Sequence, residues 1–185
     1  MKSIKSKWLL CAIALSLIAV VVVPVMGRVS NGRAGRSIIG HLYLFEKDNA
    51  TWEIIEDGAW GKMLYLLSGP EFRFVFNGHG LEPEREYTLI YYPDPWPGNG
   101  LISLGTGTAN ADGNVHIMGR AVDTGDLPAP YDDNYPLGAK IWLVWSEDVA
   151  YDPDAEDPDT NMMVGWHGPE YLFEYDLITF DDTDE

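Results

Sequence analysis

Short stretches of alternating apolar and polar residues, separated by turn residues, dominate the chain from residue 38 onward. In "EFRFVFN" (71–77), three phenylalanines fall on one face of an extended strand, and Arg73 and Val75 fall on the other. A helical period of 3.6 residues is absent from every window of a dozen residues. The pattern predicts strands over 38–46, 51–55, 63–68, 71–77, 87–92, 101–109, 114–122, 139–146 and 170–180, with a weaker one at 162–166.

Turn signals between these stretches favour an antiparallel arrangement. Asn99-Gly100 and Asp112-Gly113 supply residues that tolerate positive φ, which tight turns between strands require. Because Asp112-Gly113 lies between two alternating stretches, it predicts a β-hairpin there. About 8–10 short strands without intervening helices predict an all-β fold, an antiparallel β-sandwich of the immunoglobulin-like or jelly-roll-like kind. We therefore expect one β-sandwich domain over residues 38–185.

The first 27 residues have the composition of an export signal. Three lysines precede an apolar run over Trp8–Val23, and Pro24 ends this run shortly before Gly27. This order predicts a secretory signal peptide over 1–27, followed by a linker over 28–37 that is rich in Gly, Ser and Arg. An uncleaved signal anchor is the alternative, because the apolar segment is just long enough to cross a bilayer. Both alternatives export the remaining chain.

Composition adds two constraints. The one cysteine, Cys11, lies inside the predicted signal, so a hydrophobic core and not disulfides must hold the exported domain together. The predicted signal holds three of the 12 basic residues and none of the 29 acidic ones, which leaves a net charge of −20 on the rest. Such a charge repels nucleic acid and anionic lipid, so nucleic acid is excluded as a partner and membrane contact is expected only through an uncleaved N-terminal segment.

The stretch "YYPDPWPGNG" (91–100) is the candidate ligand-binding loop. Its three prolines exclude it from a strand ladder and stiffen the connection. The rings of Tyr91, Tyr92 and Trp96 could stack on a sugar, and the Asp94 carboxylate could accept hydrogen bonds from sugar hydroxyls. The alternative is a rigid turn whose Trp96 folds back over the open end of the sandwich core.

The acidic loop "YDPDAEDPDT" (151–160) is the candidate metal site. Calcium prefers such a crowded set of carboxylate oxygens, although the positions at which an EF-hand requires Gly and Glu hold Asp157 and Met163. The alternative is an exposed acidic connector that binds no metal. The sequence suggests no cofactor other than calcium. The candidate ligands are Asp152, Asp154, Glu156, Asp157 and Asp159.

Other motifs are few. Asn49-Ala50-Thr51 is an acceptor sequence for N-glycosylation, which makes Asn49 a glycosylation candidate in an exported protein. The four histidines are far apart and have no ligand spacing, so zinc is not expected. The chain has no nucleophile elbow, phosphate-binding glycine loop or dinucleotide fingerprint, and this predicts a non-catalytic protein.

Several phrases of the chain resemble a group of uncharacterised secreted archaeal proteins, from methanogens especially. No activity, cofactor or catalytic residue is known for that group, so the resemblance implies export and a sandwich-like fold with an immunoglobulin-like strand pattern, and no specific function. The phrases are "TWEIIEDGAWGKM" (51–63), "FVFNGHGLEP" (74–83), "YTLIYYPDPWPGNGL" (87–101), "AKIWLVWSEDV" (139–149) and "GWHGPEYLFEYDLITFDD" (165–182).

These observations predict a secreted or cell-surface acidic β-sandwich with a structural, adhesive or binding role at the cell envelope. A carbohydrate-binding module that uses loop aromatics and a calcium-stabilised adhesion domain are the alternative functions. The expected partners are envelope components, other surface proteins or glycans.

Overall fold

The structure, a computed structural model, describes residues 38–184, apart from the side chain of Ala121. The predicted signal (1–27) and linker (28–37) lie outside the described residues. Within 38–184, no helix is long and apolar enough to span a bilayer.

Twelve strands and three short 3₁₀ helices make up the regular structure of the described residues. The helices cover Ser146–Asp148, Pro158–Thr160 and Gly168–Glu170. The strands are β1 (Ile39–Phe45), β2 (Trp60–Leu66), β3 (Ser68–Gly69), β4 (Phe72–His79), β5 (Glu86–Tyr92), β6 (Ile102–Thr108), β7 (Val115–Val122), β8 (Lys140–Trp145), β9 (Val149–Ala150), β10 (Met162–Met163), β11 (Phe173–Glu174) and β12 (Asp181–Asp182).

Two antiparallel sheets carry the fold, which confirms the predicted all-β, antiparallel character. The larger sheet has the strand order β11-β1-β2-β4-β7, and the smaller sheet has the order β6-β5-β8. Two accessory pairs complete the described strands, an antiparallel pair of β9 with β10 and a parallel pair of β3 with β12.

The main core lies between the two sheets. Along β4, Phe72, Phe74 and Phe76 are buried and the residues between them are more exposed, as the alternation in the sequence predicts. Leu89 of β5 and Leu143 of β8 enter the same core from the smaller sheet. Burial of these side chains from two facing sheets is the main stabilising contribution in a chain whose described part contains no cysteine.

Strands β5 and β8 of the smaller sheet are buried on both of their faces. Ile90 and Tyr92 of β5, together with Trp142 and Val144 of β8, point away from the main core into a second apolar cluster. The segment that contains Met163 and Tyr171 covers this outer face and completes the cluster. We call this covering segment, residues 149–173, the outer layer, because it places the candidate site on the far side of the smaller sheet.

Three predicted elements differ from the structure. Residues 51–55 form no strand but a turn with a single bridge between Lys47 and Ile54. The predicted strand 170–180 is divided into β11 and isolated bridges at Leu172 and Ile178, because the chain contacts the edges of several strands in turn. The Asp112-Gly113 turn does form, but it connects strands of different sheets, β6 and β7, instead of a paired hairpin.

Candidate functional site

Three half-exposed tryptophans next to the outer layer are linked by ring contacts, either directly or through the buried ring of Phe173. Trp52, Trp96 and Trp166 are 51%, 52% and 41% exposed. The Trp96 ring meets the Trp166 ring edge-on at 5.6 Å between centroids, and both Trp52 (5.1 Å) and Trp166 (6.0 Å) contact the ring of Phe173. We call these three side chains the tryptophan surface.

Buried aromatic rings support the tryptophan surface from below. Phe173 is fully buried, and Trp142 contacts both Phe173 (5.2 Å) and Trp166 (6.2 Å). Trp142 in turn stacks on Tyr92 with a centroid distance of 3.9 Å and an interplanar angle of 10°. The exposed indoles therefore rest on a packed aromatic floor, which limits the rotamers open to them before any ligand arrives.

A tight turn around Asp48 positions Trp52. The Asp48 carboxylate accepts hydrogen bonds from the backbone N–H groups of Ala50 and Thr51 at 2.9 Å each, and these bonds lower its pKa. The Trp52 N–H donates to the Asp48 carbonyl oxygen at 2.7 Å. Trp52 has φ +60°, a left-handed conformation that costs an L residue about 1–2 kcal/mol. The turn thus holds a bulky residue in an unfavourable backbone conformation that places its ring on Phe173.

Hydrogen bonds to the outer layer fix the loop that carries Trp96. The Gly100 N–H donates to the Asn161 carbonyl, and the Met163 N–H donates to the Pro97 carbonyl, both at 2.9 Å. Gly98 has φ +79°, and a Cβ at this position would lie 2.5 Å from the Tyr92 ring, so only glycine fits. Trp96 therefore projects from a turn that is tied down on both sides.

The other three predicted ligand-binding residues have structural positions. Tyr91 and Tyr92 are buried, so their rings offer no face to a ligand from solvent. The Tyr91 hydroxyl donates to Asp132 at 2.8 Å, and burial with this neighbouring carboxylate raises the tyrosine pKa. The Asp94 carboxylate accepts from Lys140 and, at 2.6 Å, from Asn134. Of the four predicted residues, Trp96 is the one exposed for stacking.

Buried polar groups lie beside and below the tryptophan surface. His167 Nδ1 is 2.7 Å from the buried Asp148 carboxylate, which also accepts a hydrogen bond from the Tyr171 hydroxyl. Burial raises the pKa of the Glu174 carboxyl to about 7. Glu174 lies next to Trp142, yet neither its Oε2 atom nor the Trp142 indole nitrogen has a hydrogen-bond partner within residues 38–184.

The acidic loop closes on itself through its own backbone. Asp152 Oδ1 accepts from the Asp154 N–H at 3.0 Å, and Asp157 Oδ1 accepts from the Asp159 N–H at 3.1 Å. Asn161 binds the backbone N–H and carbonyl of Asp152. Among the residues that the structure describes, no three His, Cys, Asp or Glu side chains lie close enough together to hold a metal ion. The geometry therefore adds no support to the calcium hypothesis for Asp152, Asp154, Glu156, Asp157 and Asp159.

Asn49 is exposed in the same turn region as Trp52. Its Nδ2 atom lies against Gly168 and close to the Trp166 ring, 2.7 Å from the point at which a Gly168 Cβ would stand. Glycosylation of Asn49 stays a prediction, and the structure places this acceptor beside the tryptophan surface.

Trp52 and Trp166 are the site residues that sequence reasoning missed. Trp52 fell within the predicted strand 51–55, and Trp166 fell within the weak strand at 162–166. The one local signal was the position of each tryptophan close to turn residues, because turns carry exposed side chains more often than strands do.

Comparison with known proteins identifies no relative. No protein-family model matches the chain, and neither a curated protein nor a solved structure matches it.

Proposed function

We propose that this chain is an exported, non-catalytic binding module of the cell envelope, and that the tryptophan surface takes a neutral glycan. The observation that carries the proposal is that three half-exposed indoles belong to one chain of ring contacts, in which Trp96 meets Trp166 and both Trp166 and Trp52 rest on the buried Phe173. The same protein fills the structural or adhesive role expected from its sequence by holding an envelope or extracellular polysaccharide. We propose an immunoglobulin-like or jelly-roll-like variant of the sandwich as its scaffold.

Ring chemistry supports a sugar as the ligand. A pyranose presents a flat face of C–H groups, which packs on an indole face and removes apolar area from water. Three exposed indoles around one buried phenylalanine match several consecutive sugars of a chain better than one small molecule. The net charge of −20 on the part after the predicted signal favours neutral over anionic polysaccharides.

Preorganisation of the tryptophan surface supports binding. Trp52 is held by the Asp48 turn, and Trp96 is held by backbone bonds to the outer layer. Side chains that are already fixed lose little entropy when a ligand binds. A backbone strain of about 1–2 kcal/mol at Trp52 is the kind of local cost that folds retain where a side chain must be displayed.

The expected contribution of each indole is moderate. A sugar that covers about 80 Å² of an indole contributes about 2 kcal/mol at about 25 cal/mol per Å², which is about 30-fold in Kd. Weak contacts of this size combine along a polysaccharide, so a long chain should bind more tightly than a disaccharide.

The experiment is a glycan array followed by affinity electrophoresis in gels that contain the polysaccharides bound on the array. Trp96→Ala and Trp166→Ala should each lose about 10- to 30-fold in affinity. Trp60→Ala is the matched control, because Trp60 is 40% exposed on the outer face of the larger sheet. Binding of no glycan, or equal retardation of all four proteins, would defeat the proposal.

A further inference from the structure

The larger sheet has an outer face whose charge is opposite to that of the molecule. Its four long strands, β1, β2, β4 and β7, contain no Asp or Glu, whereas the whole chain has 29. The same strands contain Lys62, Arg73 and Arg120. We call the side of these strands that points away from the smaller sheet the basic face.

The basic face is open and partly apolar. Leu64 and Met118 are exposed large hydrophobic residues, and Val75 lies between them in the sheet through its pairing with both. Together with the two arginines, these side chains line a shallow groove of about 290 Å³. An exposed apolar groove of this kind on a sandwich marks an interaction surface.

The cations of the basic face are available to a partner. Arg73 pairs with Glu71 at 2.8 Å, but this pair is solvent-exposed and such pairs contribute little. Arg120 has no ion pair within the described part of the chain. Lys62 lies 5.2 Å from the centre of the Tyr43 ring and keeps its charge free for a carboxylate.

We propose that the basic face binds the acidic loop, residues 151–160, of a second copy of this chain. The loop holds five carboxylates between residues 152 and 159. It begins with the exposed Tyr151, an aromatic ring that suits an apolar groove flanked by arginines. Charge complementarity and this apolar contact together select the occupant.

The positions of the two surfaces make the contact head-to-tail. The acidic loop belongs to the outer layer, which covers the face of the smaller sheet that points away from the larger sheet. The basic face lies on the opposite side of the sandwich, so one molecule cannot satisfy both of its own surfaces. A heterologous contact that does not close into a ring produces linear assemblies.

Net repulsion between copies does not prevent this contact at moderate ionic strength. At about 0.15 M salt the Debye length is about 8 Å, so charges beyond the interface are screened, whereas carboxylates in direct contact with arginines are not. A contact between two basic faces is disfavoured, because it would place the arginines of both copies together.

Sedimentation velocity on the full chain, expressed with its own leader and purified after export, tests the proposal. The wild type should form species larger than the monomer at about 100 µM in about 0.15 M salt. The first variant, with Arg73→Glu and Arg120→Glu combined, should weaken association at least about tenfold. The second variant, with Asp154→Lys, Glu156→Lys and Asp157→Lys combined, should weaken it by the same factor. An equimolar mixture of the two variants should associate again, because each retains the surface that the other has lost.

The matched control is Glu56→Lys with Asp57→Lys, a pair of exposed carboxylates outside the loop, which should associate like the wild type. If the arginine variant unfolds, a fluorescent peptide of residues 151–160 replaces it: the peptide should bind wild type and lose about tenfold against Arg120→Glu alone. A wild type that stays monomeric, a mixture that does not associate, or a peptide that does not bind overturns the proposal. Binding of dextran sulfate or anionic vesicles in place of the peptide would assign the face to another anion and also overturn it.

Discussion

Replacing the buried Glu174 carboxyl by an amide should change how the stability of the fold depends on pH. Burial raises the Glu174 pKa from 4.5 to about 7. The folded chain therefore keeps this proton between about pH 4.5 and 7, where the unfolded chain releases it. Stability is full below pH 4.5 and falls as pH rises through the folded pKa. Because one pKa step is worth about 1.4 kcal/mol, the loss above pH 7 amounts to about 3 kcal/mol.

The variant Glu174→Gln cannot ionise, so it should lack this loss. We expect equal stability of wild type and variant near pH 4 and an advantage for the variant of about 3 kcal/mol near pH 8, or roughly 6–12 °C in Tm for a chain of this size. Thermal melts followed by circular dichroism from pH 4 to 8 measure the difference, with the exposed Glu56→Gln as control. A difference between Glu174→Gln and wild type that does not change with pH would refute the reasoning.

Three further changes test how the fold and the tryptophan surface are built. Gly98→Ala places a Cβ 2.5 Å from the Tyr92 ring at φ +79°, so we expect a loss of more than about 1 kcal/mol in urea unfolding, and an unchanged midpoint would contradict the assigned turn. Phe76→Ala empties a fully buried position and should cost about 3–5 kcal/mol, whereas a cost below about 1 kcal/mol would place Phe76 outside the core. The lowered pKa of Asp48 means that its carboxylate stabilises the turn above pH 3.8 and that this contribution is lost as pH falls through the lower folded value, so acid should loosen the Trp52 ring. Asp48→Ala should show faster quenching of tryptophan fluorescence by acrylamide already at pH 7, and identical quenching would contradict this role.

Strand alternation was enough to predict the four long strands of the larger sheet, although not their order. Phe72, Phe74 and Phe76 share the core face as predicted, because a strand with one face in solvent records that face in its sequence. The same reasoning failed for Tyr91 and Tyr92, which point to opposite faces of β5. Both are buried, since the outer layer covers the second face of the smaller sheet.

The tryptophan surface depends on one local turn and on contacts between distant parts of the chain. Trp52 was predicted in a strand because Thr-Trp-Glu-Ile-Ile has high β propensity, but the Asp48 carboxylate offers the backbone a competing turn. Trp166 and Trp96 meet only because the outer layer is tied to the loop before β6 by backbone hydrogen bonds. The contact of Trp96 with Trp166 links residues tens of positions apart, so its geometry needed the structure.

Indole N–H signals in a ¹H–¹⁵N NMR titration test most directly whether the tryptophan surface binds a glycan. A neutral oligosaccharide chosen from the array is added to the labelled protein, and each indole is assigned with a Trp→Phe variant. The signals of Trp52, Trp96 and Trp166 should shift together with one affinity, while the signal of Trp60 stays in place. Shifts confined to Trp60, or no shift of the three indoles under saturating sugar, would contradict the proposed site.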